Sequence, residues 1–294
     1  MDESTWLVER FEEHRPRLRA VAYRMLGSAS EADDAVQDAW LRLSRADTSG
    51  VENLPGWLTT VVARVCLNML RSREHRREDP LDARPSDPVA DHRPGTDPEQ
   101  ETLLADSVGI AVLVVLDRLN PAERLAFVLH DMFAMPFTEV AAILGRSAEA
   151  TRQLASRARR RVKGGSAARD ADLSRQRRVV EAFMAASRGG DFGALVALLD
   201  PDVVLRADRA AGPTPEPVVL HGARAVASGA SAASERVRFT QPALVNGAVG
   251  LVMAPLGKLF LVLGFTITED RITGIDIIAD PDRLRGLDLA VLDD

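Results

Sequence analysis

The feature that most constrains this chain is a change of hydrophobic period along it. Up to about residue 163, apolar side chains recur every three or four positions, the spacing of helices that bury one face. In the last third they come as alternating or short continuous runs: Val218-Val219-Leu220, Val249 to Met253 and Phe260 to Thr268. Those runs read as strands. Neither a uniform helical bundle nor an all-β barrel can carry both patterns. The 294 residues suggest about two domains at roughly 150 residues each. The expected fold class is therefore multidomain, all-α first and α+β last.

Composition removes several function classes. With 46% apolar and 27% charged residues the chain is neither disordered nor collagen-like. One cysteine, Cys66, excludes an intramolecular disulfide and a multi-cysteine metal site. Histidines at 14, 75, 92, 130 and 221 are scattered, so neither metal nor cofactor is expected. The start, Met1-Asp2-Glu3-Ser4-Thr5-Trp6, is acidic where a secretory signal would be basic. The apolar run Val108 to Leu116 falls well short of the ~20 residues of a membrane helix. A cytoplasmic protein is expected.

Punctuation divides the helical part. Ser30 is expected to cap a helix burying Val36, Ala39, Trp40 and Leu43. A loop from Ala46 to Pro55 ends in Asn-Leu-Pro-Gly and precedes a second long helix, about Trp57 to His75. Five prolines between residues 79 and 98 mark a linker. Asn120-Pro121-Ala122-Glu123 offers a cap, a proline at the first helical position and an acid placed to reach back. Gly164-Gly165-Ser166 breaks the chain again before a helix from about Ser174 to Gly189.

The net charge, 37 − 43 = −6, is unevenly spread. Residues 1–77 balance 12 cations against 12 anions, and residues 78–106 hold two against nine. Residues 135–163 hold seven against two, a block suited to phosphate. Within it, Pro136-Phe137-Thr138-Glu139-Val140-Ala141-Ala142-Ile143-Leu144-Gly145-Arg146-Ser147 has the spacing of a helix-turn-helix. Ala141 would allow close helix crossing and Gly145 a left-handed turn. In the helix that follows, Thr151, Leu154, Ala155, Ala158 and Val162 share one arc. Glu149, Arg152, Gln153, Ser156, Arg160 and Lys163 share the opposite one. That arc has the composition needed to enter a major groove and read base edges.

These residues resemble region 4 of the sigma-70 family, in its extracytoplasmic-function (ECF) type. The segment Ser147 to Val162 fits the helix that reads the −35 promoter element, and the resemblance adds Arg157 to its DNA-facing set. Upstream, Ser30-Glu31-Ala32-Asp33-Asp34-Ala35-Val36-Gln37-Asp38-Ala39-Trp40 is similar to the region 2 segment that grips the polymerase β′ clamp helices. That implies Asp34, Gln37 and Asp38 as the polymerase-binding face. Trp57 to Arg71 resembles the −10-reading helix, with Arg64, Asn68, Arg71 and His75 along one stripe. Asn68 stands where many members carry Asp. The loop Ala46 to Pro55 lies where relatives hold a flipped-out base.

Residues 174–294 resemble a SnoaL-like domain, the α+β cone shared with nuclear transport factor 2. The residues are the helix Ser174 to Arg188, Gly190-Asp191-Phe192, Leu195 to Leu199 and Asp200 to Leu205. Some ECF sigma factors carry such an extension with regulatory motifs. Asp280-Pro281-Asp282-Arg283-Leu284 is close to one of them, and Asp208-Arg209-Ala210-Ala211-Gly212 departs from another. The resemblance implies region 2 at 1–78, an acidic linker at 79–106 and region 4 at 107–165. A second linker at 166–173 then leads to a regulatory domain at 174–294. It also implies core RNA polymerase and promoter DNA as partners, with a small-molecule ligand of the last domain as a further one. The alternatives are a stand-alone helix-turn-helix regulator and a SnoaL-like enzyme, using His221 with Asp208 or Asp276, fused to a DNA-binding module.

Overall fold

The computed structural model describes residues 3–45, 53–77, 109–164, 170–212, 216–237, 240–255 and 258–292. The expected linker at 79–106 lies outside the described residues, as do positions 46–52 of the first loop and 166–169 of the second linker. Two compact units result: Met1–Val108 with Leu116–Arg159, and Gly109–Val115 with Arg160–Asp294.

The first unit begins with three helices, α1 (Glu3–Leu26), α2 (Ala29–Leu43) and α3 (Leu54–Arg77). Gly27, at φ +73°, closes α1 in the left-handed conformation that glycine adopts without strain. Ser28 is then already extended, so its hydroxyl accepts from Glu31 N–H and caps α2. The cap is thus Ser28 rather than the expected Ser30, because the glycine ends the preceding helix two residues sooner. Ala29, Ala32, Ala35, Val36, Ala39 and Leu43 are buried on α2, while Trp40 is half-buried against Phe11 at 5.0 Å. The Asn-Leu-Pro-Gly expected as loop is the first turn of α3. Asn53 Oδ1 accepts from Gly56 N–H at 3.0 Å, an N-cap with proline in the first turn.

Five helices follow: α4 (Ile110–Asp117), α5 (Pro121–Phe127), α6 (Phe137–Leu144), α7 (Ala148–Lys163) and α8 (Asp170–Gly189). Asn120 caps α5 as expected, accepting from Glu123 N–H at 2.9 Å. One π-turn, Val128–Met132, continues α5. Within the first unit, α5 packs on α3, and the π-turn packs on α1.

The second unit is built on a seven-stranded sheet ordered β2-β1-β6-β5-β4-β3-β7. Its strands are β1 (Leu199–Ala207), β2 (Val218–His221), β3 (Thr240–Val245), β4 (Ala248–Met253), β5 (Leu261–Thr268), β6 (Arg271–Ile278) and β7 (Leu289–Ala290). β1 and β6 run parallel, Leu205 opposite Ile275, and the other neighbours are antiparallel. Helices α8, α9 (Phe192–Leu198) and α10 (Ala223–Ala232) close one apolar core with the sheet, around Val180, Phe183, Leu195, Val203, Val226, Leu251 and Ile275. Two short helices, α11 (Ser234–Val237) and α12 (Pro281–Arg285), complete it. The all-α to α+β order read from the sequence is the order of the structure.

Candidate nucleic-acid interface

α6 and α7 form the expected helix-turn-helix. Gly145 has φ +64° and ψ +37°, and its N–H together with that of Arg146 closes on the Ala141 carbonyl. A side chain at Gly145 would meet no atom within 4 Å, so the left-handed backbone, not space, is what demands glycine. Val140, Ala141, Ile143 and Leu144 are buried on α6. On α7, Thr151, Leu154, Ala155, Ala158 and Val162 are buried, and Glu149, Arg152, Gln153, Ser156, Arg157, Arg160 and Lys163 are exposed. Burial of one face fixes the helix rotation, so the polar face is presented as a set.

The exposed cations have different surroundings. Arg157 Nε lies 2.9 Å from Glu123 Oε1, and the Glu123 side chain is only 3% exposed. The acid expected to reach back at the start of α5 thus holds α7 from beneath. Arg159 Nε is 2.5 Å from Asp131. Arg152 has its guanidinium carbon 5.6 Å from the Phe137 ring centroid and Nη1 3.6 Å from Glu149. Phe137 in turn stacks on His130 at 3.6 Å, and His130 Nδ1–H donates to the Met135 carbonyl at 2.9 Å. Apart from the i,i+3 pair Glu149–Arg152, these pairings have no periodic signature: Glu123 and Arg157 stand 34 residues apart.

On the three-helix part, Asp34 and Gln37 are exposed on α2, and Asp38 pairs with Arg42 at 3.0 Å. The other two acids of α2 serve the fold. Asp33 takes two bonds from Arg19 of α1, at 2.6 and 3.1 Å, and Glu31 pairs with Arg73 of α3. Arg64, Asn68 and Arg71 are exposed along α3. Position 75 lies on the same helix. A cavity of 270 Å³ between α2 and α3 is lined by Asp38 and Asn68, with Arg42, Met69, Ser72 and Arg73 among its walls. The candidate polymerase-facing and DNA-facing positions are therefore neighbours.

A residue that the sequence reading missed joins these helices to α5. Arg124 is 1% exposed; its Nε donates to the Arg24 carbonyl at 3.1 Å and its Nη1 lies 3.4 Å from Asp117. Nη2 is buried with no partner among the described residues. Burial lowers this guanidinium to about 10, Asp117 only partly opposing the effect. Nearby, burial pushes the Cys66 thiol up to about 12. It is the buried small hydrophobe that its position between Val65 and Leu67 suggests.

In the second unit the two motif segments meet. Asp208 Oδ2 accepts from the N–H groups of Ala279 (3.0 Å) and Asp280 (2.9 Å), with Arg283 Nη1 at 3.4 Å. Asp280 caps α12 by accepting from the N–H groups of Asp282 and Arg283 at 3.0 Å, with Pro281 in the first turn and Leu284 buried. His221 and Asp276 are exposed, on β2 and β6. The residue after β7 and one on β3 also reach helix ends of this unit. Val291 N–H donates to the Val162 carbonyl at 2.8 Å, and Gln241 Oε1 on β3 accepts from Ala111 N–H at 3.3 Å. Among the described residues, no helix is long and apolar enough to cross a membrane.

Comparison with known proteins identifies the family. The Sigma-70 region 2 family matches residues 10–76, and the Sigma-70, region 4 family matches residues 110–162. The ECF RNA polymerase sigma factor SigJ of Mycobacterium tuberculosis is 40% identical over 296 residues, covering 95% of this chain and 93% of its own. The probable ECF RNA polymerase sigma factor SigI of the same organism is 34% identical, covering 92% of each. A crystal structure of M. tuberculosis SigJ aligns at 34% identity over 95% of this chain and 98% of its own, with a TM-score of 0.46. The chain belongs to the ECF sigma factors of the sigma-70 family.

Proposed function

We propose that the chain, acting in the cytoplasm, binds core RNA polymerase and reads the −35 and −10 elements of promoters, with its last domain regulating it in cis. The carrying observation is α7. Its apolar face is fully buried while Glu149, Arg152, Gln153, Ser156, Arg157, Arg160 and Lys163 stand exposed together. We assign these residues to −35 DNA, Arg64, Asn68, Arg71 and His75 to −10 DNA, and Asp34, Gln37 and Asp38 to the β′ clamp helices. Arg forks on such a helix can read guanine edges, and flanking cations hold phosphate. The modules of this reading are region 2 (1–78), an acidic linker (79–106), region 4 (107–165), a second linker (166–173) and the regulatory domain (174–294).

The last domain is read as SnoaL-like and regulatory, not catalytic. Asp208, a carboxylate that an enzyme would need, is occupied by two backbone N–H groups, and His221 is exposed on an edge strand. A small-molecule ligand inside this domain would have to displace part of its apolar core, where Phe183 meets Phe265 edge-on at 5.4 Å. The segment Asp280–Leu284 is its regulatory contact. The test is transcription with core polymerase across a promoter library. Sequence-dependent initiation that requires this chain supports the reading, and equal promoter affinity with and without polymerase refutes it in favour of a stand-alone regulator.

A further inference from the structure

We infer that Phe137, backed by His130, is a positioning residue that presets the Arg152 guanidinium for base reading. The inference rests on the proposed assignment of Arg152 to −35 base edges. An arginine on an exposed helix face samples many rotamers, and a bidentate contact with one base must freeze them. Here the guanidinium carbon lies 5.6 Å from the Phe137 centroid, within cation–π range, and Glu149 Oε2 flanks Nη1 at 3.6 Å.

The ring is itself held. Phe137 is half-buried in the first turn of α6 and stacks on His130 at 3.6 Å with 24° between planes. His130 sits on the π-turn and donates through Nδ1–H to the Met135 carbonyl at 2.9 Å; Met135 N–H bonds back to Leu129 at 2.9 Å. The wider π-turn thus does more than end α5: it delivers an aromatic partner to the first helix of the motif. The chain of contacts runs from backbone, through two rings, to a side chain on the exposed face. Phe137 touches no base on this account; it acts through Arg152.

The test uses full-length protein with core polymerase, on promoters carrying each base in turn at each −35 position. Thermal unfolding is used to match folded concentrations. Arg152→Ala should flatten preference at one or two positions. Phe137→Leu should weaken preference at those same positions about two- to fivefold, the range of an exposed cation–π contact. Phe137→Tyr, which keeps the ring, should retain the preference. In the Arg152→Ala background, Phe137→Leu should change preference no further. Preference unmoved by Phe137→Leu, or uniform loss across all promoters, overturns the positioning role while leaving Arg152 as the reader. Flat behaviour of Arg152→Ala itself overturns that assignment and this inference together.

Discussion

Asp208→Ala should unfasten the end of the sheet from α12. In the native protein one carboxylate oxygen receives the N–H groups of Ala279 and Asp280 at 3.0 and 2.9 Å. Ala279 is 7% exposed, so water cannot replace the lost acceptor there. Leaving one buried N–H unpaired costs about 1–3 kcal/mol, and a bond to a charged acceptor contributes about 1.5–3 kcal/mol. The two bonds share one oxygen and do not add fully, so the expected loss is about 3–4 kcal/mol. Asp208→Asn keeps an acceptor and should lose about 1–2 kcal/mol. Arg283→Ala should lose under about 0.5 kcal/mol, because its 3.4 Å contact is half in solvent. Fluorescence would miss the effect: Trp6, Trp40, Trp57 and Tyr23 all lie in the first unit. Hydrogen exchange reads it directly. Protection of the Ala279 and Asp280 amides should fall by a factor of about 10²–10³ in Asp208→Ala, at tenfold per 1.4 kcal/mol. Amides as protected as in the parent protein would refute the argument that Asp208 joins the two motif segments.

On region 4, Arg152→Ala should cost about 1–3 kcal/mol at one or two −35 positions, whereas Arg160→Ala should weaken all promoters alike and make the salt dependence shallower. Competition binding of holoenzyme at two salt concentrations separates them, and uniform losses from both would refute the assigned face. Cys66, pushed up to about 12 by burial, binds its proton more tightly folded than unfolded, so its stabilising contribution is intact below the unfolded value of about 8.5. Stability should therefore fall by up to about 1.4 kcal/mol per pH unit between pH 9 and 10, and Cys66→Ala should remove that slope in urea unfolding. Truncation after Asp282 removes β7 and the Val291–Val162 bond just beyond it, and truncation after Ser166 removes the whole sheet. Promoter-dependent transcription should differ by more than a few-fold among these and the full chain, and equal activity would make the domain a passenger.

The helix-turn-helix was legible because its signals are local: a glycine that must be left-handed, and a buried arc at helical period. The strands Val218–His221, Ala248–Met253 and Leu261–Thr268 announced themselves as apolar runs. β6 did not, since Arg271, Thr273, Gly274 and Asp276 interrupt it and only its parallel pairing with β1 makes it a central strand. Ser30 and Ser28 are equally good caps by residue type, and the choice lies in the backbone of Gly27. The acids of α2 looked alike in sequence, yet Glu31 and Asp33 meet arginines 42 and 14 residues away, leaving Asp34 and Gln37 outward. Contacts of that range, like those of Arg124 and Asp208, leave no periodic trace.

Arg124 bears on how such a protein meets its polymerase. On the proposed assignment the two promoter elements lie about 25 base pairs apart, some 85 Å of duplex at about 3.4 Å each. In the structure the two reading regions touch, α5 packing on α3 and the π-turn on α1 with Arg124 between them, so spanning that distance would part these contacts. On that assignment the packed arrangement cannot read both elements at once. The protein's apparent affinity is the intrinsic affinity scaled down by the fraction already parted. Of the Arg124 contacts described, the Nε bond to the Arg24 carbonyl at 3.1 Å is the one that crosses between the regions, Asp117 lying on the same side, and the buried Nη2 has no partner among the described residues, which keeps that fraction within reach of binding energy.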